Sequence, residues 1–138
     1  MEKSFQFDVV TPYGPVVSAK VEEAYIPGAE GDFDVLPGHA DMLAAIRVGE
    51  LHYRADGQTR YVAISRGFAE ITPQTATLLV DSAEPAEGID LETARSARAR
   101  AEERLKTLSA GDPEYAPAAE ELERAKLRIR VAEKAPRQ

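Results

Sequence analysis

The hydrophobic period changes once along this chain, from two to about 3.6 after Pro85, and that change decides where strands end and helices begin. Before it, Phe5, Phe7 and Val9 alternate with Gln6 and Asp8, and Val17, Ala19 and Val21 alternate with Ser18, Lys20 and Glu22. Each run has one apolar and one polar face, the pattern of an antiparallel strand wetted on one side. Leu51-His52-Tyr53-Arg54 and Arg60-Tyr61-Val62-Ala63-Ile64 flank Asp56-Gly57, a pair that tolerates positive φ and suits a tight hairpin. Phe68–Ile71 and Ala76–Val80 flank Thr72-Pro73-Gln74-Thr75 in the same manner. Many short strands separated by Gly and Pro turns predict a β-sandwich.

After Pro85, Asp90 is a helix N-cap, and Leu91, Ala94, Ala97, Ala101, Leu105 and Leu108 fall on one stripe. Ser109-Ala110-Gly111 stops that helix, and Asp112-Pro113 offers a second start with proline at the first helical position, unless Pro117 delays it. Ala118, Leu122, Ala125, Ile129 and Ala132 then form a coiled-coil-like seam. A short loop between two such helices implies an antiparallel pair. The fold class is therefore β + α: an N-terminal antiparallel β-sandwich at residues 1–88, followed by a C-terminal antiparallel two-helix hairpin at 89–138. Alanine at half the seam positions lets the helices approach closely but buries little area, at roughly 25 cal/mol per Å². The hairpin is thus expected to be firm as helices, weakly held as a pair, and able to change partners.

Composition narrows the chemistry. With no cysteine there is neither a disulfide framework nor a thiolate metal site. No run approaches the roughly 20 apolar residues of a membrane span, and Met1-Glu2-Lys3-Ser4 leads into strand alternation instead of a signal-peptide core. The net charge of -7 is uneven: residues 1–89 hold 6 Lys/Arg against 14 Asp/Glu, or -8, and residues 90–138 hold 11 against 10, or +1. A strongly acidic first part would repel a phosphate backbone, so nucleic acid is not an expected partner. There is no GxxxxGK[ST] phosphate loop, and Ser65-Arg66-Gly67 is not a nucleophile elbow. His39 and His52 stand on separate segments without paired carboxylates at ligand spacing, so no catalytic and no metal residues are expected.

The run Gly31-Asp32-Phe33-Asp34-Val35-Leu36-Pro37-Gly38-His39, the later Gly67-Phe68-Ala69-Glu70 with Thr77 and Leu79, Ile89-Asp90 opening an Arg/Ala/Glu-rich helix, and the closing Ile129-Arg130-Val131-Ala132-Glu133 together resemble the epsilon subunit of bacterial F-type ATP synthases. The likeness covers nearly the whole chain in order, with Asp34 standing where the family has glycine. It implies a noncatalytic central-stalk subunit that couples proton-driven rotation of the c-ring to ATP synthesis through gamma, and whose C-terminal helices restrain ATP hydrolysis. The implied partners are the gamma subunit, the c-ring loops through Asp32 and His39, and the alpha/beta catalytic hexamer through the C-terminal helices. The implied location is peripheral, on the cytoplasmic face of the inner membrane, with membrane association only through the complex. Some family members bind ATP with an Ile/Leu-Asp-x-x-Arg-Ala motif. Here Glu84, Ile89, Asp90, Ala94, Arg124 and Arg128 match that site and Thr93 takes the arginine position, so no cofactor is required and a regulatory ATP would be weak. The alternative from another class is a free-standing adaptor without enzymatic activity, its sandwich docking one partner and its hairpin a second.

Overall fold

A computed structural model describes residues 3–136, so Met1 and Glu2 of the start read above lie outside the described residues. The chain forms two compact units, Met1–Pro85 and Ala86–Gln138. This division and the one expected after Gly88 differ by a single 3-10 turn, Ala86–Gly88, which carries a buried Ala86.

Among the described residues the first unit contains ten strands: β1 Phe5–Thr11, β2 Gly14–Val21, β3 Glu23–Ile26, β4 Phe33–Val35, β5 Met42–Ile46, β6 Gly49–Ala55, β7 Gln58–Ile64, β8 Gly67–Ile71, β9 Thr75–Val80 and β10 Ala83–Pro85. They make two five-stranded sheets, ordered β2-β1-β9-β8-β5 and β10-β7-β6-β3-β4. Every named strand pair is antiparallel except β1 with β9, which run parallel from Gln6 beside Thr75 to Val10 beside Leu79. The alternation read from the sequence becomes the core: Phe5, Phe7, Val9, Val21, Leu51, Val62, Ile64, Ile71 and Leu78 are buried together between the sheets. Asp56 and Gly57 both take positive φ, 53° and 75°, which turns β6 directly into β7 with Ala55 opposite Gln58. Between β8 and β9, the Thr72 hydroxyl accepts from the Gln74 and Thr75 amides and closes the proline-containing turn.

The second unit contains α1 Leu91–Thr107 and α2 Tyr115–Ala132. Asp90 caps α1, its carboxylate accepting from the Thr93 amide at 3.1 Å. Ala94 and Ala101 of α1 and Ala118 and Ala125 of α2 are buried, so the small side chains of both stripes are the ones removed from water. α2 begins two residues later than the Asp112-Pro113 signal. Asp112 instead closes a turn, its side chain accepting from the Glu114 amide. Pro117 explains the delay: in a helix its ring would meet the carbonyl four residues back, that of Pro113, so it is tolerated only within the first turn. Leu127 and Val131 are buried as well, on a stripe outside the expected seam, while Leu122, Ile129 and Ala132 are only half-buried.

Candidate interaction face and arginine groove

Two features of the molecule have the geometry of a site, one in each unit. On the sandwich, the outer face of the first sheet carries an apolar row. The register sets Ala45 beside Phe68, Phe68 beside Leu79, and Leu79 beside Val10. Leu43 lies two residues along β5 from Ala45, on the same face. Phe68 and Leu79 are 68% and 58% exposed within this row, and Leu43, 79% exposed, stands on the same face opposite Glu70 in the next row, so exposed apolar side chains gather on this face. The neighbouring row, Glu70, Thr77 and Asp8, is polar and borders it. Gly67 sets the spacing at one end of the row: a Cβ there would come within 1.9 Å of the Leu79 carbonyl oxygen, so β8 can approach β9 only with glycine.

In the helical unit, α1 and α2 enclose a groove of about 440 Å³. Its floor is Ala97, Ala101 and Ala125, and its walls are Arg100 and Arg104 from α1 with Arg124 and Arg128 from α2, beside Glu121. Alanine creates the groove because it leaves space where larger side chains would meet. Four arginines around one concavity supply donors of the kind that pair with an anion of several oxygens. Arg104 also reaches Glu114 at 3.5 Å.

The residues singled out in the sequence fall on several elements. Asp32 sits in the turn before β4, ion-paired with Arg47 at 2.5 Å. His39 sits in the turn after β4, where its Nδ1 lies 2.7 Å from the Ala40 carbonyl and the Gly38 amide donates to Pro73. Asp32 is therefore tied to the chain just beyond the Ile46 end of β5, and His39 precedes its Met42 end. Glu84 is on β10, opposite Ala63 of β7. Ile89 and Ala94 are buried. The Asp90 carboxyl is held below the usual aspartate range by the Thr93 amide first, then the Thr93 hydroxyl, with lesser help from the Glu92 amide and the Arg128 charge. Thr93, read only as a missing arginine, is thus the partner of Asp90. Arg124 and Arg128 come together in the groove, joined by Arg100 and Arg104, which the sequence reading passed over. Their signal was present as an arginine pair four residues apart beside the alanine stripe.

On the outer face of the second sheet, His52 stacks on Tyr25 at 4.9 Å and tilts against Tyr61 at 5.6 Å, with its Nδ1 buried and without a hydrogen-bond partner. Among the described residues, no group of three or more His, Cys, Asp or Glu side chains is placed to hold a metal ion. No described helix is long and apolar enough to cross a membrane.

Comparison with known proteins places the two units in one context. The family model "ATP synthase, Delta/Epsilon chain, beta-sandwich domain" matches residues 4–86, and "ATP synthase, Delta/Epsilon chain, long alpha-helix domain" matches residues 87–133. An ATP synthase epsilon chain of Thermodesulfovibrio yellowstonii is 48% identical over 112 residues, 81% of this chain and 80% of that one. One from Geobacter sp. strain M21 is 44% identical over 137 residues, 99% of each. Among solved structures, a chain of the Euglena gracilis mitochondrial ATP synthase OSCP/F1/c-ring assembly matches with a TM-score of 0.69 at 19% identity, covering 96% of this chain and 79% of that one. A chain of the Tetrahymena thermophila central stalk and c-ring assembly matches at 0.57 and 12%, covering 95% and 97%. At such identities the structural matches speak for the fold alone.

Proposed function

The chain belongs to the delta/epsilon family of ATP synthase subunits, noncatalytic members of the rotary enzyme's stalk, and from that premise we propose that it couples c-ring rotation to the catalytic head by docking on gamma through the outer face of the first sheet. The observation that carries this reading is the exposed pair Phe68 and Leu79, with Leu43 on the same face in the next row. A face that leaves this much apolar surface in water, bordered by Glu70, Thr77 and Asp8, has the anatomy of an interface core with a polar rim. Asp32 and His39 are the contacts assigned to the c-ring loops. Because Asp32 is paired with Arg47, its contact would be made by a bridged pair and not by a lone carboxylate. The subunit would sit peripherally at the cytoplasmic face of the inner membrane, attached through its partners.

The helical hairpin is the regulatory part of the proposal. Its arginine groove would take either the phosphates of a weakly bound ATP or acidic groups of the alpha/beta hexamer, and the second contact would restrain hydrolysis. The test of docking is co-purification with gamma. Phe68→Ser combined with Leu79→Ser should lower gamma affinity at least about tenfold while leaving the sandwich folded, because both side chains are exposed in the free chain. Undiminished binding by the double variant would move the gamma contact to another face. A wild-type chain indifferent to gamma would favour the adaptor reading.

A further inference from the structure

The two sheets of the sandwich end in four outer strands, β2 and β5 in the first sheet and β10 and β4 in the second. An outer strand presents a row of unpaired amides and carbonyls, which soluble domains blunt with proline, charge or extreme shortness. Three of the four are blunted: β2 carries Pro15 and Lys20, β4 is three residues long with Asp34, and β10 is three residues long with Glu84 and Pro85. β5 has five residues, Met42–Ile46, and neither a charge nor a proline among them.

The outer side of β5 is filled at one end only. Gly28 bridges to Ile46, with the Arg47 amide donating to the Pro27 carbonyl and the Ala29 amide donating to the Ala45 carbonyl. A full antiparallel pair of Ala29 and Ala45 would exchange two hydrogen bonds, and among the described residues only this first one is made. The chain turns away there, the Gly31 amide donating to the Gly28 carbonyl with Gly31 at φ 133°. Because the Ala45 carbonyl points outward, strand alternation points the Ala45 amide and both backbone groups of Leu43 outward too, while Met42, Ala44 and Ile46 pair with Ile71, Ala69 and Gly67 of β8. Between this open stretch and the departing loop lies a cleft of about 270 Å³, with Ala29, Glu30, Gly31 and Phe33 on one side and Leu43 and Ala45 on the other.

We propose that an extended segment of gamma completes this edge, entering where Ala29 leaves and pairing its backbone with Leu43 and Ala45. Outward amides and carbonyls at strand spacing are matched by another extended backbone, so the occupant is a strand. Its side chains follow from the surroundings. The cleft is apolar apart from Glu30, Asp41 immediately precedes β5, and residues 1–89 hold 6 Lys/Arg against 14 Asp/Glu, or -8. The segment is therefore apolar with lysine or arginine beside it, whereas a second copy of this chain would set two acidic units against each other. The proposal rests on the docking of gamma argued above and deepens it: a strand added to β5 widens the first sheet on its Leu43 side, next to the Phe68 and Leu79 surface.

Amide exchange of the full-length chain, alone and with gamma bound, reads the edge directly. The Leu43 and Ala45 amides should exchange freely in the chain alone and slow at least about tenfold in the complex, while the Ala44 amide, which faces β8, is protected in both. Leu43→Pro removes an outward amide and no bond to β8, so gamma affinity should fall about tenfold below that of Leu43→Ala, which shortens the side chain and keeps the amide. Where the proline variant does not fold, exchange in the unsubstituted chain decides. Leu43 and Ala45 amides as fast with gamma bound as without it, or equal affinity of folded Leu43→Pro and Leu43→Ala, would overturn the edge while leaving docking through Phe68 and Leu79 standing. Protection of the same amides in a dimer of this chain, without gamma, would overturn gamma as the occupant. A chain that does not bind gamma at all would overturn both the edge and the docking face.

Discussion

Gly67 shows how a single residue can hold a surface in place. Its position in the Gly67-Phe68 sequence looks like a turn signal, yet its reason is a close approach of backbones, with the Leu79 carbonyl where a side chain would go. Gly67→Ala should destabilise the sandwich by about 1 to 3 kcal/mol through forced separation of β8 and β9, read as a lower urea midpoint at unchanged slope. Asp90 works at the same scale. Its carboxyl is depressed by the Thr93 amide and hydroxyl, so the cap stabilises α1 fully above the ordinary value of 3.8 and loses effect as pH falls through the lower folded value. Asp90→Ala should therefore reduce helicity at neutral pH and remove that acid-side transition in circular dichroism. Thr93→Arg would keep the capping amide but remove the hydroxyl contact and add a guanidinium. ATP affinity should rise by up to roughly a hundredfold in calorimetry if Asp90 and the groove form one nucleotide site.

At the scale of elements, the alanine stripes decide the character of the tail. They bring α1 and α2 together without large side chains and leave the groove that four arginines surround. Reversing Arg124 and Arg128 to glutamate should leave the helices intact while weakening inhibition of ATP hydrolysis in the assembled enzyme, measured against wild type at equal subunit occupancy. The sequence showed the β6–β7 and β8–β9 hairpins because their turn residues lie next to the strands they join. It did not show β3, β4, β5 or β10, which are three to five residues long; β3, β5 and β10 depend on partners distant in the chain, and β4 is held by β3 alone. The alanine stripes were legible from period alone, whereas burial of Leu127 and Val131 was not, since a second stripe on a helix is set by its surroundings. The apolar row was hidden for a related reason. Phe68 and Leu79 read as ordinary strand residues until the register showed them adjacent and facing outward. Arg124 and Arg128 were visible as charges, but their concavity exists only once Arg100 and Arg104 are brought across from α1.

At the scale of the whole molecule, the sandwich core is complete within its own unit: its buried members run from Phe5 to Val80. A chain ending at Gly88 should therefore unfold cooperatively in urea, bind gamma and fail to restrain hydrolysis, and loss of gamma binding in that chain would overturn the division of labour. The parallel pairing of β1 with β9 has a consequence during translation. β1 lies beside β9, the central strand of its sheet, so Phe5, Phe7 and Val9 cannot be enclosed until Thr75–Val80 has emerged. At about 5–20 residues per second, β1 waits for several seconds before its sheet can close. The helices follow the sandwich along the chain, so a ribosome can finish the sandwich before Arg100, Arg104, Arg124 and Arg128 exist.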